Sequence, residues 1–243
     1  MFFSTNIPNV KGKKIGVIAG LAPETSCDFY LEVVEYYRKN SDHYPSIILR
    51  QVSCFFKDIM LLAENKTGEG VKEEILVALK DLQDIGCELV CIPCNTVHKW
   101  LNIYQSHFPN LKFISIIEAS IKKVLETNLK SVLILASKCT IMTELYQRQL
   151  EQHNINYVLV NETDCEFMTD AIKALNSGVD THEFEDSFGE VLDRYLGMVD
   201  GTLLACTDLY RLCTDKVREG RGLFINSNDC LVEAVCEASL SYD

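Results

Sequence analysis

Leu89-Val90-Cys91-Ile92-Pro93-Cys94-Asn95-Thr96-Val97-His98 decides the reading of this chain. Leu89 to Ile92 is an apolar run too short for a helix. It stops at a proline and gives way at once to a cysteine and small polar residues. That is the signature of a buried strand whose carboxyl end opens into a turn and a helix, the unit from which parallel sheets are built. A second stretch repeats the pattern: Leu203-Leu204-Ala205-Cys206-Thr207-Asp208 is again an apolar strand that ends at a cysteine followed by polar residues. The echo points to two related halves whose strand ends converge on one cleft.

Around these two stretches the same grammar recurs. Short runs rich in Ile, Val and Leu are read as strands over Lys14–Ala19, Ser46–Val52, Glu88–Ile92, Phe113–Ile117, Val132–Ala136, Asn156–Val160, Thr202–Ala205 and Gly222–Ile225. Between them, Thr25–Lys39, Gly70–Asp84 and Glu144–His153 carry apolar residues at helical spacing, as in Val71, Ile75, Leu76, Leu79 and Leu82. Strands alternating with amphipathic helices give an α/β protein. No Pro/Gly/Ser-rich linker divides the chain, so any domain boundary must be compact.

Bulk properties narrow the function classes. The chain has 243 residues, 47% of them apolar, which suffices for one large domain or two small lobes. A formal charge of −12 excludes a nucleic-acid or anionic-membrane surface, since both need a basic footprint. Eleven cysteines, an odd number scattered along the chain, are unlike a disulfide scaffold and are read as reduced thiols. The segment Lys11-Gly12-Lys13-Lys14 followed by Ile15 to Ala22 imitates a secretion signal, but its apolar part runs straight into Pro23-Glu24-Thr25 and reads as a strand entering a helix. No stretch approaches the roughly 20 apolar residues of a membrane span. A cytoplasmic location is expected.

In open parallel sheets, ligand sites gather at the carboxyl ends of strands. Cys94 and Cys206 both fall there, where a thiol meets unpaired backbone N–H groups and the start of a helix, which favour the thiolate. Asn95, Thr96 and Thr207 follow them with amide, hydroxyl and main-chain donors suited to a carboxylate. Most of the other cysteines read as small core residues. Cys91 and Cys94 form a Cys-Ile-Pro-Cys spacing, but no second compact ligand pair accompanies it, and strand alternation turns Cys91 into the core; no metal is expected.

Gly20-Leu21-Ala22-Pro23-Glu24-Thr25, Pro93-Cys94-Asn95-Thr96-Val97-His98 and Ala205-Cys206-Thr207-Asp208 come in the order and approximate spacing of the aspartate/glutamate racemase family, which this chain resembles along essentially its whole length. The resemblance implies two similar α/β lobes, each a short parallel sheet flanked by helices, with the site in the cleft between them. The first lobe is expected over residues 1–120 plus 209–243 and the second over 121–208. It also implies racemisation of a small amino acid, aspartate or glutamate by family habit, without a cofactor. In such a reaction one cysteine acts as thiolate base on the α-proton and the other, as thiol, donates to the opposite face. Carried over by position, Cys94 and Cys206 are the proton-transfer pair; Asn95, Thr96 and Thr207 bind the α-carboxylate; Leu21 lines the pocket; Ser137 and Thr140 supply hydroxyls from the second lobe. His98, one turn into a helix, reads as a brace for the loop. Relatives are commonly dimers, so a homodimer is implied too.

The pattern departs from the family at three places. The first loop has Ala19-Gly20-Leu21 instead of Gly-Gly-Met, and Ala205 and Asp208 replace a glycine and a glutamate. Where several relatives place a lysine to grip the substrate's side-chain carboxylate, an approximate alignment puts Glu166, which would repel it. Arg50, at the end of the second strand, is the compensating cation the sequence offers. Two other readings stay open: a cysteine-dependent decarboxylase or cis–trans isomerase of a small diacid, and a binding protein that keeps the cleft without turnover.

Overall fold

In a computed structural model, which describes residues 12–241 apart from Phe55, Asn65 and Thr67, every apolar run overlaps a strand. These are β1 (Ile15–Ala19), β2 (Ile47–Gln51), β3 (Leu89–Cys91), β4 (Lys112–Ile114), β5 (Ser131–Leu135), β6 (Asn156–Leu159), β7 (Gly201–Leu204) and β8 (Leu223–Asn226). Among the described residues they form two four-stranded sheets, ordered β2-β1-β3-β4 and β6-β5-β7-β8, with every pairing parallel. The two orders are the same. β3 and β7, which carry the two echoed motifs, therefore hold equivalent positions.

Strand alternation sorts the apolar side chains into three layers. Ile15, Val17, Leu89 and Cys91 of the first sheet face Val132, Ile134, Leu203 and Ile225 of the second across a shared central core. The helices Ile116–Glu126 and Ser227–Leu240 fill that core. Alternate residues Ile18, Val90 and Ile92 point the other way, onto the helix Glu69–Asp84, while Leu133, Leu135 and Leu204 pack on Glu162–Asn176 and Glu185–Tyr195. Because each sheet is buried on both faces, its strands read as continuous apolar runs.

Three boundaries differ from the sequence reading. The expected strand Phe113–Ile117 ends at Ile114, because the Ser115 side chain caps a helix by accepting the Glu118 N–H at 3.3 Å and draws Ile116 and Ile117 into it. The expected helix Glu144–His153 begins only at Gln147, since Glu144 sits in the left-handed region at φ 54°. The segment 209–243, expected in the first lobe, is divided. β8 pairs with β7 in the second sheet, and only the helix Ser227–Leu240 returns to pack on Pro23–Asn40 of the first lobe. No helix among the described residues is long and apolar enough to cross a membrane.

Candidate active site

In each sheet the chain reverses its strand order between the first and third strands, and the loops that follow those strands diverge to leave a crevice. Leu21 and Ala22 follow β1, Cys94 to Thr96 follow β3, Ser137 follows β5, and Cys206 to Asp208 follow β7. All of them line one cavity between the sheets. The two switch points, one from each lobe, thus face each other.

Local sequence explains each loop. After β1, Gly20 adopts φ +93°, and a Cβ there would lie 2.5 Å from Gln51 Cγ, so only glycine fits. Its N–H donates to Ser26 Oγ at 3.2 Å, and Pro23 opens the following helix at a position that needs no amide donor. After β3, the Cys94 N–H donates to the Ile92 carbonyl at 2.8 Å and turns the chain into a 3₁₀ helix over Thr96–Trp100. After β7, Cys206 is extended and caps the one-turn helix Thr207–Tyr210.

His98 holds the β3 loop from behind. Its Nε2 receives the Ile116 N–H at 3.3 Å, which assigns the ring proton to Nδ1, and Nδ1 donates to the Cys94 carbonyl at 2.8 Å. Burial lowers the imidazole pKa to about 4, so the ring is neutral. His98 is absent from the cavity lining. Its work is to tie the cysteine-bearing turn to the start of the next helix.

Polar side chains from both lobes meet below the thiols. Thr96 Oγ1 lies 3.0 Å from Ser137 Oγ and 3.1 Å from Thr140 Oγ1, which are themselves 3.1 Å apart, a buried triangle of hydroxyls across the lobe boundary. Asn95 is spanned in the same way: its Nδ2 donates to Ser227 Oγ at 3.1 Å and its Oδ1 accepts from the buried Tyr146 hydroxyl. Thr207 Oγ1 donates to the Pro93 carbonyl at 3.4 Å. Of the residues expected here, Leu21, Asn95, Thr96, Ser137 and Thr207 line the cavity together with both cysteines, and Thr140 stands behind the wall, in the triangle.

The electrostatics run against the simple expectation of two easily ionised thiols. Burial pushes the Cys94 thiol up to about 12, and the nearby Asp208 carboxylate adds to it, while the Val97 and Thr96 N–H groups pull the other way. Cys206 is pushed up as well, first by burial, then by Asp208 and by the charge of an ionised Cys94, against the N–H groups of Leu209 and Asp208. The backbone donors read from the sequence are present, but desolvation outweighs them at both sulfurs. Asp208 is itself buried. Its carboxylate accepts from Thr25 Oγ1 at 3.2 Å and from Asn176 Nδ2 at 2.9 Å, and burial raises its pKa.

Two residues expected beside the substrate's side chain, Arg50 as its cation and Glu166 as a repelling charge, lie elsewhere. Arg50 pairs in register with Ile18 and so shares its face of the sheet, toward the helix Glu69–Asp84; there Nε donates to Asp81 Oδ2 at 2.8 Å. Glu166 is exposed on the helix Glu162–Asn176 and does not reach the cavity. In their place the wall is completed by Ile59, Leu62 and Ala63 from the helix Phe56–Ala63, and by Ile172 and Asn176 from Glu162–Asn176. None of these five was singled out from the sequence. The spacings 59, 62, 63 and 172, 176 do mark single helix faces, but a helix face alone does not say what it covers.

Two equivalent parallel sheets that open onto one shared cavity define an α/β protein with its site between two similar halves. The chain belongs to the Asp/Glu/hydantoin racemase family, whose pattern matches residues 18–235, and it is an amino-acid racemase of the Asp/Glu type. It is 24% identical to the broad-specificity amino-acid racemase RacX of Bacillus subtilis over 94% of this chain and 99% of that one. Among solved structures, an aspartate racemase homologue from Pyrococcus horikoshii superposes with a TM-score of 0.73 at 25% identity, covering 93% of this chain and 98% of the other. The glutamate racemase of Francisella tularensis in complex with D-glutamate shares the fold at a TM-score of 0.63 and 19% identity, covering 91% and 78%.

Proposed function

We propose that the cavity holds an amino acid with its α-carbon between Cys94 and Cys206, and that racemisation proceeds by removal of the α-proton to one sulfur and delivery of a proton from the other. The observation that carries this reading is that two thiols from equivalent strands line one cavity, and that the charge of one raises the pKa of the other. Coupling of that kind keeps one sulfur protonated when its partner is ionised. A thiolate and a thiol on opposite sides are what inversion at a single carbon requires.

Burial and Asp208 disfavour the thiolate at either sulfur. A bound zwitterion changes that balance, since its ammonium group brings a positive charge next to Asp208 and the sulfurs and lowers the pKa of whichever thiol faces the α-proton. The hydroxyls of Thr96 and Ser137 then face the α-carboxylate, and Thr207 joins them by turning its hydroxyl from the Pro93 carbonyl. Hydrogen bonds there strengthen as charge moves from the carbanion onto the carboxylate oxygens. Reversal of the two sulfur roles serves the other enantiomer.

The relatives' names span aspartate, glutamate and broad specificity, and so they support the reaction more than any one side chain. Aspartate or glutamate, expected from family habit, calls for a cation beside the side-chain carboxylate, and Arg50 is committed to Asp81. The test is α-proton exchange in deuterium oxide, followed by NMR over a panel of L-amino acids. Exchange with formation of the D-enantiomer is expected, with loss of racemisation in both Cys94→Ser and Cys206→Ser. Full turnover in both variants would overturn the two-cysteine reaction.

A further inference from the structure

We infer that the side-chain end of this cavity takes a neutral amino acid with a short aliphatic side chain, and that it discriminates against aspartate and glutamate through Asn176 and Asp208. The inference rests on the racemase reading and adds the substrate class to it.

Beyond the hydroxyl triangle the wall is apolar: Leu21, Ala22, Ile59, Leu62 and Ile172 surround the space left for a side chain. No lysine, arginine or histidine is among the described residues that line it. The nearest polar groups are Asn176 and Asp208, and their donors are already used. Asn176 Nδ2 gives one hydrogen to the Ile172 carbonyl at 3.0 Å and the other to Asp208 Oδ2 at 2.9 Å, and an amide nitrogen has only two. The Thr25 hydroxyl also donates to Asp208. A second carboxylate would therefore find no donor here and would face the charge of a buried one, the arrangement that most disfavours an ionised acid.

Arg211, which follows the helix of Asp208 and partly offsets its charge, does not line the cavity, and two further cations on neighbouring elements are held elsewhere. Arg50 is bound to Asp81 on the far face of the first sheet, and Lys173 lies 2.8 Å from both Glu64 and Asp170. Size adds a second limit. The cavity measures about 40 Å³, room for roughly three water molecules at about 10–15 Å³ each on the same measure. That space must take the substrate's α-carbon, ammonium and carboxylate as well as its side chain, which favours the shortest side chains over the long chains of lysine or arginine.

The test compares L-alanine, L-2-aminobutyrate and L-valine with L-aspartate and L-glutamate by two readouts: α-proton exchange in deuterium oxide on the wild-type protein, and thermal stabilisation of Cys94→Ser. Exchange of the best neutral amino acid is expected to exceed that of either acid by about a hundredfold or more in kcat/KM, because the acid must bury an unpartnered charge. Asn176→Lys places a cation at the wall and should shift the aspartate-to-alanine ratio at least about tenfold toward aspartate. Asn176→Gln, which keeps the amide, should retain the neutral preference. Aspartate or glutamate exchanging as fast as alanine, or stabilising the protein as well, overturns the inference. Stabilisation by alanine without exchange of any amino acid refutes the racemase reading and leaves the side-chain preference standing as one of binding. Neither exchange nor stabilisation overturns both.

Discussion

The loops after β3 and β7 begin alike and differ in what stands behind the cysteine. Each closes a central strand of an equivalent sheet, and in each backbone N–H groups turn toward the sulfur. Behind Cys94 stands a neutral histidine that fixes the main chain and carries no charge. Behind Cys206 stands Asp208, a buried carboxylate that acts on both sulfurs. The first loop supplies rigidity and the second supplies field. A pseudo-symmetric frame thus brings two like groups to one cavity, while local sequence makes their surroundings unequal.

Removing either thiol is expected to have the largest effect. Cys94→Ser and Cys206→Ser should each lower racemisation by about 10²–10⁴-fold, the usual contribution of a positioned acid–base group. Each should also keep solvent exchange of the one enantiomer whose α-proton faces the remaining thiol, read by NMR on the separated enantiomers. If both variants exchanged the same enantiomer, the sulfurs would not lie on opposite faces.

His98→Ala tests the rigid side. It leaves the Ile116 N–H and the Cys94 carbonyl without their partner in a buried place, which costs about 1–3 kcal/mol for each unsatisfied group and should lower the melting temperature. The wild-type protein has a matching pH signature. Because the folded imidazole has its pKa lowered to about 4 from 6.5, the folded state binds fewer protons than the unfolded one between those values, and stability is lost as pH falls through that window. The loss is on the order of 3 kcal/mol at 1.36 kcal/mol per unit, and it should be missing from denaturation curves of His98→Ala.

Asp208→Asn tests the charged side. With the carboxylate gone both thiols become easier to ionise, so alkylation by iodoacetamide at pH 8 should speed up severalfold at Cys94 and Cys206, as resolved by peptide mass mapping. An unchanged rate would mean that Asp208 does not set the field at the sulfurs. A smaller effect concerns the whole set of buried thiols. Cys87, Cys91, Cys94, Cys139, Cys206, Cys213, Cys230 and Cys236 all have raised pKa values from burial, so the folded state holds protons that the unfolded chain releases above about pH 8.5. Stability should fall steadily as pH rises beyond that point, measured as melting temperature between pH 8 and 10.

The part of the molecule that could be read from sequence is the part with a local signature. All eight strands are legible, because burial on both faces makes each one a continuous apolar run; Cys94 to Thr96, Cys206 and Thr207 are legible because they follow those runs directly, while Leu21 and Ser137 come from the family resemblance. Boundaries failed where a single residue decides: the Ser115 cap and the left-handed Glu144 leave no mark on hydrophobic spacing. The far wall was hidden for another reason. Ile59, Leu62, Ile172 and Asn176 come to the cavity on helices docked from outside the switch points, and nothing near them in sequence announces the site. Glu166 lies on the same helix as Asn176 but on its exposed face, and no motif in that helix marks which face meets the cavity. Arg50 failed by strand geometry, since its register with Ile18 turns it to the outer face.

The central claim is that two sulfurs, one on each face, move two different protons. It is tested most directly by following a single L-enantiomer in deuterium oxide to low conversion and measuring isotope at the α-carbon of substrate and product separately. Two facing thiols predict that the first D-product formed carries solvent deuterium while the remaining L-substrate still carries protium. A D-product that retains the substrate's own hydrogen would show one group returning the same proton to both faces, and would contradict the account.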